Sequence, residues 1–400
     1  MRRYIILIAA VMMMLSLGTN YAWSTFVPVL KMKYHLSTAQ TQAIFGTSGL
    51  MFTIFAMIGG RLQDRIGPRV PAFFGGVIFG VSYILAGYSS GSYASLQTFI
   101  GVTGGMGVGL CYLCPLICMI KWFPHQKSLI TGISVAAFAG SAIIINRVGE
   151  YLLSRHIDVL QIFKYMGFSF LPILAITSLL LRNPPSDPDL TPKQPHLKIR
   201  ALFQDANFWG LLCVMFTGSC IGLMIIGNIK PYGLSLNLDV VIAGTAVSVI
   251  ALFNVLGRLI WGWIGGLMEG KKVIVISLVS TTVVCLAAPF VVRDTFTFLF
   301  FAAVAGFNYA SCLVIYAVEI ARLYSPERMG SIYSILLIGN GLAGMIAPTT
   351  TGRIFDSTGS YLPAFFIFGF LSLIAIFLFW FLYQPKRLKN KTESSLYSEK

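Results

Sequence analysis

VIAGTAVSVIALFNVLGRLIWGWIGGL, residues 241–267, holds a single charged residue, Arg258. About 20 apolar residues are enough to cross a bilayer as a helix, so the stretch is a membrane span. An arginine at the centre of a span costs roughly 2.5–3.5 kcal/mol on insertion scales, and such residues face a cavity and mark a substrate or ion path. A guanidinium stays protonated and presents a fork of donors matched to a carboxylate. A fixed cation, alone at membrane depth, points to a path for small organic anions.

The rest of the chain agrees with a membrane setting. Of 400 residues, 56% are hydrophobic and only 11% charged, with mean hydropathy +0.79. Soluble proteins average about 25% charged residues. Apolar windows of span length fall near 5–30, 42–60, 71–88, 94–120, 130–151, 162–181, 208–229, 241–267, 273–291, 296–320, 330–350 and 362–383. The expected fold is all-α and integral to the membrane, with twelve helices in two six-helix bundles related by a pseudo-two-fold. The first span begins almost at residue 1 without a small-residue cleavage site, so it is expected to be retained and not removed as a signal peptide.

A net charge of +15 raises nucleic acid as a partner, but the basic residues follow loop parity instead. With the N-terminus inside, the cytoplasmic segments carry 20 of the 29 Lys and Arg residues. This bias predicts both termini in the cytoplasm of a multi-pass inner-membrane protein, with no nucleic-acid partner. Seven cysteines lie in or near spans, and Cys111, Cys114 and Cys118 recur at helical spacing. Buried cysteine packs as a small hydrophobe. No histidine lies in a span to complete a metal set, so neither metal nor cofactor is expected.

RNPPSDPDLTPKQPHLKIRALFQDA, residues 182–206, is the long polar interior segment. It reads as a cytoplasmic linker between bundles at 1–181 and 207–384, followed by a cytoplasmic tail at 385–400. The halves echo each other at an offset near 202, pairing Gly60 with Gly262 and Pro124 with Pro326, while Pro28 pairs with Pro231 at 203. Internal repeats of this kind build midplane sites that rock between two openings.

The loop after the second span reads Gly60-Arg-Leu-Gln-Asp64-Arg65-Ile-Gly67-Pro-Arg69. It resembles the G-x-x-x-D-R-x-G-x-R signature of the major facilitator superfamily, in which Asp64 would latch helix ends in one state and release them in the other. The second-half counterpart, Gly262 to Leu267, has lost both the Asp and the Arg, so any such latch is one-sided. Within that superfamily the chain resembles the oxalate/formate antiporters and bacterial lactate-type monocarboxylate transporters. The matching motifs are Gly18-x-x-Tyr21-Ala-Trp23-Ser24-x-Phe26, Gly107-x-Gly109-x-x-Tyr112-x-x-Pro115, and Lys121-Trp122-Phe123-Pro124. Asn254-x-x-x-Arg258, Gly352 and Asp356-Ser-Thr-Gly359-Ser-Tyr361 complete them. The fourth span lacks the embedded arginine found elsewhere in the superfamily. The fifth lacks the Gly-Pro pair of proton-coupled drug antiporters.

The resemblance implies that Arg258 binds the substrate carboxylate. Asn254, four residues earlier, shares its helix face. In animal monocarboxylate carriers that position is an aspartate, and Asn254 can orient a ligand but cannot titrate. Tyr309 matches a tyrosine lining the pocket in lactate-transporting relatives. Tyr112, Tyr21 and Phe138 are further candidates, each with a plain core role as the alternative. The glycine stripe 101/105/109 reads as close helix packing. Asn340 stands where oxalate-transporting relatives carry a lysine. With Arg258 as the one cation at depth, a single-carboxylate substrate fits better than a dicarboxylate. The four histidines lie outside the spans, and Glu150 and Glu319 are the acidic residues nearest the hydrophobic zone. No mid-membrane side chain titrates near neutral pH, so a proton would travel with the substrate carboxylate. The expectation is a monomeric, non-enzymatic secondary transporter for lactate, pyruvate or formate with a proton. Oxalate-type exchange, or a carboxylate sensor without transport, are the alternatives.

Overall fold

The computed structural model describes residues 2–123, 127–184, 202–324 and 326–384. Residues 185–201 of the expected linker, Pro124 and the tail 385–400 lie outside the described residues. Among the described residues, twelve helices are long and apolar enough to span a membrane. In chain order they are α1 (Arg3–Thr25), α2 (Thr38–Ile66), α3 (Arg69–Gly87), α4 (Tyr93–Trp122), α5 (Gly132–Ser154) and α6 (Val159–Leu180). The second set is α7 (Ala206–Ser235), α8 (Val240–Leu267), α9 (Gly270–Val291), α10 (Thr295–Tyr324), α11 (Ile332–Thr358) and α12 (Leu362–Leu382).

Two of these differ instructively from the hydropathy windows. The first is one continuous run in sequence but three segments in space: an α-helix to Leu17, a tighter 3-10 stretch Gly18–Thr25, and a further helix Val27–Tyr34. The change begins at Gly18, where a Cβ would lie 1.8 Å from the Phe138 carbonyl oxygen. Contact of that kind requires glycine. The second difference corrects an expectation. The seventh window ends before Lys230, whereas α7 continues to Ser235 with Lys230 inside it and 2% exposed. Arg258 is therefore not the single buried cation. A hydropathy window stops at a charge, but the helix continues because Lys230 finds its counter-charge in Glu150 rather than in water.

Helices α1–α6 pack among themselves, chiefly α3 on α6 and α2 on α4. Helices α7–α12 do the same, with α8 on α10 and both α7 and α9 on α12. Glycines set these approaches. The stripe in α4 lies against α2: a Cβ on Gly105 would be 2.5 Å from the Ser48 carbonyl oxygen, and one on Gly109 2.5 Å from that of Phe52. Gly257 and Gly306 do the same between α8 and α10.

The two sets meet along α2 with α11 and α5 with α8, pairings that exchange under a two-fold relating each helix to the one six further on. Along the antiparallel α2/α11 seam, backbones touch. A Cβ on Gly46 would be 2.5 Å from the Gly344 carbonyl oxygen, and one on Gly352 would be 2.7 Å from the Ala39 nitrogen. Among the described residues, several hydrogen bonds between the sets lie at the face opposite the termini. The Asp356 carboxylate accepts from the Thr38 and Ala39 N–H groups (2.9 and 2.8 Å), a helix N-terminus capped from the other half. The Gln42 amide donates to the Gly227 carbonyl at 2.8 Å. Asn146 donates to the Gly244 carbonyl and the Ser248 hydroxyl, both at 2.9 Å.

Candidate functional site

At mid-depth the halves are joined by Arg258. The residue is 6% exposed, and three acceptors surround its guanidinium. Nε donates to Asn254 Oδ1 at 2.8 Å, one turn earlier on α8. The terminal nitrogens donate to the Val135 carbonyl of α5 and the Tyr21 hydroxyl of α1, both at 3.3 Å. A hydrogen bond to a charged group contributes about 1.5–3 kcal/mol, so these three offset an insertion penalty of roughly 2.5–3.5 kcal/mol. What they do not supply is opposite charge. Among the described residues no carboxylate pairs with Arg258.

Asn254 sharpens the point. An arginine can only donate, so the amide atom facing Nε must be the oxygen. That fixes Nδ2 as a buried donor, and it has no hydrogen-bond partner in the structure. Leaving such a donor unsatisfied costs about 1–3 kcal/mol. Side by side stand an uncompensated cation and an unused N–H, a pairing that a carboxylate would satisfy on both counts.

Aromatic rings wall this point. Tyr21 meets Phe138 edge-on at 5.8 Å and Tyr309 at 6.3 Å, and Phe138 meets Tyr112 at 5.0 Å. Asn340 reaches the same group from α11, its Nδ2 donating to Ser219 Oγ at 2.9 Å and the Tyr309 hydroxyl at 3.4 Å. The structure thus brings Arg258, Asn254, Tyr21, Phe138, Tyr112, Tyr309 and Asn340 into one connected group spanning both halves.

Two neighbours of this group, and one amide nearer the opposite face, escape the sequence reading. Tyr333 lies within electrostatic reach of Arg258, Tyr112 and Tyr21, and its hydroxyl donates to the Leu313 carbonyl at 2.5 Å. Its signal is its place seven residues before Asn340, two turns along one face. Ser219 has no such signal, because an isolated serine in a span is common. Asn146, directly after the apolar run Ile143-Ile144-Ile145, is the legible one: an amide within a span asks for partners.

The loop motif sits at the end of α2 on the terminus face. Gly67 adopts φ +83°, the left-handed region that favours glycine. Arg69 Nε donates to the Leu181 carbonyl at 2.7 Å, tying this loop to the end of α6. Asp64 and Arg65 are exposed, and among the described residues no ion pair holds Asp64. Gly60 faces Leu113 of α4. The α4 cysteines donate to backbone carbonyls, Cys111 to Ala72 and Cys118 to Arg182, both at 3.3 Å.

Comparison with known proteins places this architecture. The sequence model of the Major Facilitator Superfamily matches residues 7–268 and 219–397. An uncharacterised MFS-type transporter, YhjX, of Escherichia coli K12 is 26% identical over 86% of each chain. The oxalate:formate antiporter of Oxalobacter formigenes is 23% identical over 86% of this chain and 84% of its own. Monocarboxylate transporter 13 of Rattus norvegicus is 24% identical over 78% and 72%.

Proposed function

The chain belongs to the Major Facilitator Superfamily, and from that premise we propose that it carries small monocarboxylates of the lactate, pyruvate or formate kind by alternating access, one proton moving with each anion. The observation that carries this reading is the buried Arg258 guanidinium, without a carboxylate partner among the described residues, beside the unused Asn254 N–H. A single carboxylate neutralises the first and accepts from the second. Asn340, neutral where a second cation would serve a second carboxylate, favours one acidic group over two. Similarity to an oxalate:formate antiporter and to a monocarboxylate transporter supports the same substrate class.

In this reading the halves at 1–181 and 207–384 rock about the site, joined by the linker at 182–206. The excess of Lys and Arg on the terminus face supports both termini lying in the cytoplasm, with the inner membrane as the setting. Acting as a monomer, the protein presents Arg258 alternately to each side. The test is purified protein in liposomes with labelled lactate, competed by pyruvate, formate and oxalate. Saturable uptake competed by monocarboxylates is expected; binding without uptake would leave a sensor. The similarity to an antiporter favours exchange as the second reading, and strict dependence on a trans anion would establish it.

A further inference from the structure

Lys230 has an unusual set of partners. Its ammonium sits 2.5 Å from Glu150 Oε1 and 3.3 Å from the Thr25 carbonyl oxygen. Both acceptors belong to α1 and α5, across the boundary between the halves, whereas Lys230 rides on α7. Around the pair the layer is closed by Asn146, which accepts from the Thr25 hydroxyl at 2.7 Å and donates to Gly244 and Ser248 of α8. The Glu150 carboxylate lies against Gly244 of α8: a Cβ there would be 2.6 Å from its Oε1. The second half therefore holds a cradle, a buried ammonium beside a bare stretch of helix, and a carboxylate is what fills it.

When the halves part at this face, Glu150 and Thr25 leave together and Lys230 loses both acceptors in one step. A buried cation stripped of its partner is strongly destabilised, so opening favours any anion that takes the vacated place. We propose that Lys230 and the Gly244 backbone form an outer carboxylate station, occupied by Glu150 in the closed state and by a free monocarboxylate in the open one. The proposal deepens the carrier reading and rests on it. The route inward lies along α8, where Gly244, Ser248, Ala251, Asn254 and Arg258 recur at steps of three and four and share a face. Fourteen residues at 1.5 Å each put the station about 21 Å from Arg258 along the axis.

Two measurements test this. In proteoliposomes, Lys230→Gln is expected to raise the KM for external lactate about tenfold or more, the worth of one charge-assisted hydrogen bond. The double variant Lys230→Gln/Glu150→Gln removes the whole pair and with it any unpaired buried charge. A merely structural ion pair would be restored by the second change; a station for substrate would not, so the raised KM is expected to persist. Recovery of the wild-type KM in the double variant would overturn the proposal. The second measurement needs no transport. In Glu150→Gln, Lys230 is expected to become reactive toward an external amine-directed reagent at mildly alkaline pH, read by mass spectrometry. Formate, lactate and acetate should protect it, chloride should not, and protection should survive Arg258→Ala. Protection in a protein that moves no anion would remove the carrier reading and keep the station. Labelling indifferent to every carboxylate would remove the station.

Discussion

Arg258 Nε donates to Asn254 Oδ1 at 2.8 Å, and that single bond decides which way the Asn254 amide faces. Because arginine has no acceptor, the oxygen is committed to it and the NH2 group is turned to a place where no described residue accepts from it. The pair thus forms one unit, a charge and a donor on adjacent turns of α8, and the predictions about substrate start there.

Arg258→Ala is expected to abolish lactate uptake in liposomes while the protein still inserts and elutes as a single species. Arg258→Lys should be badly impaired, since a point-charge ammonium cannot replace a planar fork that reaches Asn254, Val135, Tyr21 and the ligand together. Normal transport by the alanine variant would remove this site assignment.

Asn254→Asp places a carboxylate against the guanidinium, where it competes with the substrate for the same charge. Uptake is expected to fall at neutral pH and to recover partly on acidification, as the new group protonates. Wild type lacks this internal competitor. A pH profile of the variant that parallels wild type would argue against direct competition.

Uptake by wild type should follow an inward proton gradient and ignore membrane voltage, because one anion with one proton moves no net charge. The check is electrophysiology on solid-supported membranes beside tracer uptake. A current scaling with flux would contradict the coupling.

Asn340→Lys should shift preference toward oxalate. The Asn340 amide donates to Ser219 and Tyr309, and an ammonium can donate to the same two oxygens while adding charge. For a dicarboxylate it supplies the second cation; for a monocarboxylate it is an unpaired charge that is costly to keep. Competition of labelled lactate by oxalate reads the outcome, and no gain for oxalate in a well-expressed variant would place position 340 outside the pocket.

Outside the spans, Asp158 gives a pH-dependent contribution to stability. Burial alone would raise its pKa. The Lys33 ammonium, the Leu160 N–H and the Tyr34 hydroxyl outweigh that and hold the carboxyl below its ordinary value. With the folded pKa depressed, the contribution is present above the unfolded value of about 3.9 and is lost as pH falls through the folded one. Lys33 is exposed, so the effect is about 1 kcal/mol at most. Thermal unfolding in detergent should show wild type losing its advantage over Asp158→Asn below about pH 4. An advantage that persists unchanged at pH 3 would count against it.

Much of this was legible in the chain. Twelve apolar runs, the Asn254 and Arg258 spacing, and Tyr21, Tyr112 and Tyr309 all follow from hydropathy, helical periodicity and family motif. What hydropathy alone obscured was Lys230. Read along the chain, a lysine beside Pro231 marks the end of a span; in space it lies within one, because Glu150 from another helix neutralises it. The 3-10 stretch from Gly18 was hidden for the same reason, its cause being the Phe138 carbonyl on a distant helix. Local composition records what a residue prefers, and these two are governed by what they meet.

The glycine seam between α2 and α11 carries a last consequence. Helices that interlock through large side chains must unlock before they can turn past each other, and that resists motion. At Gly46 against Gly344, and at Gly352 against Ala39, two bare backbones lie in contact with no side chain caught between them. In the alternating-access reading such a seam would serve as a plain bearing, keeping the halves in register along one line while letting the ends on either side swing. Larger residues at 46 or 352, whose Cβ atoms would point across the seam, would therefore act as grit, slowing turnover without touching the affinity for the cargo.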